Sequence, residues 1–443
     1  MKRVLIDLTD IEGWRGHHGG TQRVVYGVAK QFFEQTDKKF QVEFIVFSPR
    51  ENVFYETSFE PIYDRVENQE AAPAQNQSQA VTVSLRSRVK QSVRPYVPES
   101  LRKSKHTRAF VKNALWLSKG VARKAKQKIS QHGRGLQSSQ RGPKIAFTKN
   151  DIVLVLGKPW DNPTMERALT DAKAEAGFQL VQVIYDLIIS LYPHLHHPSL
   201  FKNYTQYIFE AIYNSDLLLP ISKSSDKDLA IFAKALNLPM PKTKVLRLAD
   251  EIVKSSENSK PDSRIADKFV TCVGTVEIRK NHTLLYYAYK LAEQQSIDLP
   301  QLVIVGSRGW LTGDFQYLVE HDPAMKDKII ILENTNDQGL SWMYANTMFC
   351  VYPSFYEGWG LPVAESLANG KMCIASNASS IPEIAGDMID YFTPYDAQAC
   401  LDLMVKYLDS KTLQQKEAQI QQEYKPTSWQ TTFEQVSSSL KGL

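Results

Sequence analysis

Short apolar runs alternate along most of this chain with stretches in which apolar residues recur every three or four positions. One series of runs falls at 4–8, 42–47, 152–156, 180–185 and 217–221. A second falls at 269–273, 302–305, 329–332, 349–352 and 372–375. None shows the apolar/polar alternation of a half-exposed sheet, so both faces of each run are expected to be buried, as in a parallel sheet. Alternation with helical patterns then predicts βαβ units and an α/β chain of two doubly wound, Rossmann-like domains. The polar stretch 250–263, with Ser255, Ser256, Asn258, Ser259 and Pro261, is the expected link between them.

Composition supports this reading and narrows it. The chain has 443 residues, too many for one ordinary domain. Its 43% hydrophobic and 23% charged content is that of a globular protein with a full core. Cys272, Cys350, Cys373 and Cys400 form no CxxC pair and read as buried thiols, not as a disulfide or zinc framework. The opening residues carry Asp7 and Asp10 inside the apolar pattern, which fits a first strand and not a signal peptide. No apolar run reaches the roughly 18 residues needed to cross a bilayer. A cytoplasmic protein is expected.

Charge changes the picture in one place. Between Val81 and Lys149 there are 18 Lys or Arg against the single acid Glu99, an excess of +17 in a chain whose total is +5. The rest of the chain is therefore acidic, unlike a uniformly basic nucleic-acid binder. Within the segment, Phe110, Ala114, Leu117, Val121, Ala125 and Ile129 form one apolar stripe, which predicts a helix over 106–129. Trp116, Leu117 and Phe110 beside so many cations point to docking on an anionic membrane surface. Few aromatics are available to stack on bases, so no nucleic acid is expected.

The sharpest chemical string is Pro353-Ser354-Phe355-Tyr356-Glu357-Gly358-Trp359-Gly360-Leu361-Pro362-Val363-Ala364-Glu365, between a strand and a helix that Pro362 suits. Gly358 and Gly360 let backbone approach a ligand, and the helix start favours a diphosphate. Glu357 and Glu365 fall on one cleft, and a carboxylate accepts two sugar hydroxyls at once. In Gly274-Thr275-Val276-Glu277-Ile278-Arg279-Lys280-Asn281-His282, two adjacent cations follow a strand. They suit a diphosphate leaving group and remove the need for a divalent metal. Asp226-Lys227-Asp228 is the one DxD string, and it reads as acidic charge at a helix start. His194, His196 and His197 fit no usual metal set and read as surface histidines.

These strings resemble family-4 retaining glycosyltransferases of the GT-B fold. The resemblance is carried by the paired glutamates in a Glu-Gly-aromatic-Gly-Leu-Pro frame, by Gly274 to Asn281, and by Ser376 to Glu383. It covers the chain except about 66–148. It implies an acceptor domain over 1–255 with a basic insertion at about 66–148. A donor domain would span 256–425, and a closing helix over 426–443 would return to the first domain. The two domains would face a central cleft.

By the same resemblance Glu357, Arg279, Lys280 and Asp186 are the catalytic candidates. Donor contacts would come from Gly274, Gly306, Gly358, Trp359, Gly360, Leu361 and Glu365, with Gly19 and Gly20 closing from the other side. Glu365 would take the ribose. Tyr185 stands where many members have a histidine, which leaves Asp186 either an acceptor-side contact or a turn cap.

The implied activity is retaining transfer of a hexose from a nucleoside-diphosphate sugar, GDP-mannose favoured, to a glycan or lipid-linked acceptor. The donor is a co-substrate, with no cofactor or metal expected. Two rivals are a dinucleotide-dependent oxidoreductase, which lacks its spaced-glycine fingerprint here, and an inactive GT-B scaffold partnering another transferase.

Overall fold

The computed structural model describes residues 2–14, 20–35, 40–67, 141–250 and 260–443. The helix expected over 106–129, most of the basic insertion, Gly19 and most of the 250–263 link lie outside the described residues. Residues 1–62 and 142–443 form one compact unit that holds two sheets.

The first sheet has the order β3-β2-β1-β4-β5-β6-β7, with β1 Arg3–Asp7, β2 Gln41–Ser48, β3 Val53–Thr57, β4 Asp151–Val155, β5 Gln179–Ile184, β6 Leu217–Pro220 and β7 Lys242–Thr243. The second has the order β10-β9-β8-β11-β12-β13. Its strands are β8 Phe269–Val273, β9 Gln301–Val305, β10 Ile329–Leu332, β11 Cys350–Tyr352, β12 Cys373–Ser376 and β13 Tyr391–Phe392. Every pairing is parallel except β2 with β3. Each of the ten apolar runs has become a strand. In both sheets the order reverses beside the first strand, β1 or β8, and crevices at the carboxyl ends of such strands are where doubly wound sheets bind ligands.

Apolar layers explain the burial. Leu5, Ile45, Val153 and Leu180 share one cluster with helix Pro163–Ala176 through Met165 and Leu169. In a neighbouring cluster, Ile184 and Leu218 lie with Tyr204, Ile208 and Ile212 of helix Phe201–Asn214. In the second half Phe269, Val303 and Ile330 join Met343 of helix Asp337–Asn346. All four cysteines are buried free thiols.

Asp250 departs from the exposed link its neighbours suggest. It is buried and accepts a 2.5 Å bond from the Thr427 amide and one from the Tyr424 hydroxyl. Its carboxylate thus anchors the return of the C-terminal segment. Helix Trp429–Lys441 then lies on helix Gly20–Glu34. Phe433 meets Phe32 edge-on at 4.7 Å, and Gly27 admits the Trp429 ring, which a Cβ would approach to 2.3 Å. No helix among the described residues is long and apolar enough to cross a membrane.

Candidate functional site

The site grows from the end of β8. Gly274 takes φ of 145°, a conformation that L side chains rarely adopt, and the Lys280 stem passes over it. Gly306, after β9, lies against it so closely that a Cβ would sit 2.1 Å from the Gly274 carbonyl oxygen. A single helical turn, Ile278–Lys280, follows, and Asn281 in the left-handed region (φ 56°) opens helix His282–Gln294. The Asn281 amide donates to the carbonyls of Pro353 and Pro394, at 3.0 and 2.8 Å. One buried residue therefore ties the cation turn to two other loops.

The loop after β11 brings Glu357 to the same point. Arg279 donates to one oxygen of its carboxylate, and Lys280 Nζ to the other at 2.8 Å. Arg279 also pairs with Glu277 at 2.6 Å and bonds the Tyr356 carbonyl at 3.1 Å. Lys280 Nζ bonds the Tyr352 hydroxyl at 2.6 Å and lies 4.9 Å from that ring. Two cations thus balance two buried carboxylates.

Burial alone would raise the Glu357 carboxyl, but Arg279 and Lys280 outweigh it and hold it down at about 2. It is an ionised acceptor at neutral pH and has no proton to give. Burial opposes the charge on Arg279, yet Glu357 and Glu277 keep the guanidinium firmly protonated. Removing Arg279 would leave the buried Glu277 without its ion-pair partner, at a cost of roughly 3–5 kcal/mol.

The backbone carrying Glu357 is fixed from β12. Ser379 accepts from the Glu357 amide at 2.8 Å, and Ser380 donates to the carbonyls of Glu357 and Trp359 at 2.9 and 2.7 Å. Gly360 takes φ of 120° at the start of helix Leu361–Ala368, and no side chain caps that start. Trp359 is buried, with its indole N–H unpartnered among the described residues.

Glu365, also buried, accepts from the Tyr344 hydroxyl and from Arg23, both at 2.9 Å. Arg23 belongs to the first half, so this pair spans the cleft. Gly20 and Leu361 face each other across it as well: a Cβ on Gly20 would lie 3.4 Å from Leu361 Cδ1.

Asp186 is half-buried in the loop after β5. It accepts from the Ile188 amide at 2.9 Å, so it does cap the turn. It also lines, with Arg279, a cavity of about 300 Å³ that includes Thr21, Lys158, Trp160, Tyr185, His196 and Tyr204. Burial raises its carboxyl, while Arg279 opposes the rise.

Two expectations need correction. Asp228 is more than charge at a helix start: it is buried and accepts from Tyr356 of the other half at 2.8 Å. Ser222 caps that helix by accepting from the Ser225 amide. His196 is half-buried, unlike the exposed His194 and His197: its ring lies 4.7 Å from that of Trp310, tilted by 41°, and burial together with Arg279 pushes its imidazole down to about 4.

Sequence reasoning also missed Arg23, Tyr344, Tyr352 and Glu383 as site-forming residues. Glu383 accepts from the Lys223 and Ser224 amides at 2.8 Å each, capping a helix of the opposite half. Its presence in the quoted Ser376–Glu383 string was the available signal.

Two Rossmann-like halves with a crevice at their strand ends define the GT-B fold, and solved structures share it. A protein from Anabaena, Alr3699/HepE, solved with UDP and glucose, aligns with a TM-score of 0.58 at 15% identity over 100% of both chains. TarM aligns with a TM-score of 0.57 at 12% identity, over 100% of this chain and 98% of that one. Residues 254–425 match the model for glycosyl transferases group 1.

The chain is similar to O-antigen chain mannosyltransferase B of Escherichia coli, at 29% identity over 49% of this chain and 58% of the relative. It is also similar to the Escherichia coli serotype-specific mannosyltransferase WbdA, at 24% identity over 66% of this chain and 37% of the relative. The chain thus spans little more than half the length of the first relative and about a third of the second.

Proposed function

We propose that this chain is a retaining glycosyltransferase that moves a hexose from a nucleoside-diphosphate sugar to a glycan or lipid-linked acceptor in surface polysaccharide assembly. GDP-mannose is the favoured donor, because the relatives it resembles over part of their length are named mannosyltransferases. The observation that carries the reading is the convergence of Arg279 and Lys280 on Glu357 beside an uncapped helix start. Such cations stabilise the charge that develops on a departing diphosphate, the kind of electrostatic contribution that dominates many enzymes.

In this mechanism the sugar–phosphate bond breaks toward an oxocarbenium-like ion pair. The leaving diphosphate, held by Arg279 and Lys280, takes the proton of the acceptor hydroxyl, which attacks on the same face. Ionised Glu357 orients the donor sugar through its hydroxyls, Glu365 holds the ribose, and Asp186 with the cavity around it seats the acceptor. Gly20, Gly274, Gly306, Gly358, Trp359, Gly360 and Leu361 shape the donor side. No step calls for a metal, so turnover should survive EDTA. A strict Mg²⁺ or Mn²⁺ requirement would contradict this.

The basic segment 81–149 would hold the protein on the inner face of an anionic membrane, each cation near the surface adding roughly 1 kcal/mol. Flotation with anionic liposomes should lose its salt-sensitive binding when the segment is replaced by a Gly/Ser linker; unchanged recovery would remove that role. The activity itself is tested by donor hydrolysis and transfer assays with GDP-, UDP- and dTDP-sugars. No turnover of any of them would leave the inactive-scaffold alternative.

A further inference from the structure

Tyr395 is 82% exposed, the most exposed of the large hydrophobic side chains among the described residues. It is nonetheless held in place. Its ring lies 5.4 Å from that of Phe355, tilted by 35°. Its loop is closed by the Asp396 amide donating to the Thr393 carbonyl at 3.0 Å, and Asp396 caps the following helix by accepting from the Ala399 amide at 2.9 Å. Asn281 joins this loop to the one carrying Phe355 through the Pro394 and Pro353 carbonyls. A large ring left in water gains nothing for folding from its exposed face, since only removal from water is favourable.

Its place is informative. The Phe355 amide donates to the Arg279 carbonyl at 2.9 Å, so the aromatic pair adjoins the cation turn. Arg279 in turn lines the cavity that holds Asp186, and that cavity, at about 300 Å³, is at the small end of ligand sites. A site of that size seats about one sugar ring. The preceding residues of a glycan must leave it over the rim.

We infer that Tyr395 and Phe355 form a stacking platform for a neutral pyranose of the acceptor glycan, one or more residues behind the sugar that receives the transferred hexose. The C–H face of a pyranose ring is apolar and flat, and it packs on an aromatic face without any charged group. The Tyr395 hydroxyl supplies a polar handle for the ring substituents. This inference rests on the glycosyltransferase reading, and it assigns that reading an extended neutral saccharide as acceptor.

The test uses the full chain, with α-linked mannose oligosaccharides of one to four residues as probes. Saturation-transfer NMR reads binding without turnover. The wild type should bind the tetrasaccharide more tightly than the monosaccharide, and Tyr395→Ala should reduce the difference by up to about tenfold. Tyr395→Phe should restore most of it. Donor hydrolysis and transfer to the monosaccharide should be unchanged in Tyr395→Ala, because that ring touches neither reacting group.

Equal binding of all lengths by the wild type, or equal loss at every length in the variant, would overturn the platform. Length-dependent binding by a wild type that transfers no sugar would instead uphold the platform and defeat the transferase reading.

Discussion

Arg23, in the first turn of helix Gly20–Glu34, donates a 2.9 Å hydrogen bond to Glu365 in the helix behind the glutamate loop, across 342 residues of chain. The carboxylate proposed to hold the ribose is therefore gripped from both halves, by Arg23 on one side and Tyr344 on the other. A carboxylate has about four lone-pair sites, so both grips leave room for two ribose hydroxyls.

Glu365→Ala should weaken binding of the bare nucleoside diphosphate by about ten- to a hundredfold, the range for losing hydrogen bonds to a charged group. Glu357→Ala should behave differently. It releases Arg279 and Lys280 toward the phosphates, so affinity for the diphosphate does not fall while turnover does. Calorimetry with GDP and UDP decides the matter, and equal losses in both variants would defeat this division of labour.

Lys280→Ala should lower turnover by on the order of a hundredfold, the effect of removing one donor to developing negative charge. The Glu357 carboxylate keeps Arg279 as a partner in this variant, which limits the structural damage. A thermal melt establishes folding first. Wild-type turnover in a folded Lys280→Ala protein would take these cations out of the mechanism.

The legibility of this chain follows its physics. Ten buried strands were readable because parallel strands covered on both faces need unbroken apolar runs. β3 was not, because it is an antiparallel edge strand in which exposed Glu56 interrupts the pattern. β7 and β13 have two residues each, too few for any period. Arg279, Lys280 and Glu357 could be picked out because each sits in a loop whose glycines and strand context betray a ligand. The pairs Arg23–Glu365, Tyr356–Asp228 and Glu383 with the Lys223 amide could not. They join residues more than a hundred apart, and nothing local in either partner announces the other.

Glu166 sets a pH dependence of stability. It is fully buried in the first half, with Oε1 unpartnered among the described residues and a long 3.4 Å bond from Gln182 to the other oxygen. Burial raises its carboxyl from 4.5 to about 8. Between those values the folded chain binds a proton that the unfolded chain has released, so stability must fall as pH rises through that window. Asp7, raised by burial to about 7, acts with the same sign. Glu166→Gln, neutral at every pH, should flatten the decline in melting temperature between pH 5 and 8 and raise it most at pH 8. An unchanged slope would show that Glu166 is ionised in the folded chain.

Gly358 tests how closely the halves must meet. A Cβ at this position would lie 2.3 Å from the Tyr185 carbonyl oxygen and 3.0 Å from Asp186 Cβ, both in the first half. Neither contact is the far end of a flexible side chain, so Gly358→Ala must part the halves at the point where donor and acceptor are proposed to react. Misplacement by about 1 Å can cost a reaction on the order of a hundredfold. Transfer in Gly358→Ala should fall by about that factor. Affinity for the nucleoside diphosphate should hold, because Arg279 and Lys280 come from the second half alone. Gly313→Ala is the control, since a Cβ there meets nothing within 4 Å. Wild-type transfer by folded Gly358→Ala would mean that the reaction does not need this approach of Gly358 to Tyr185.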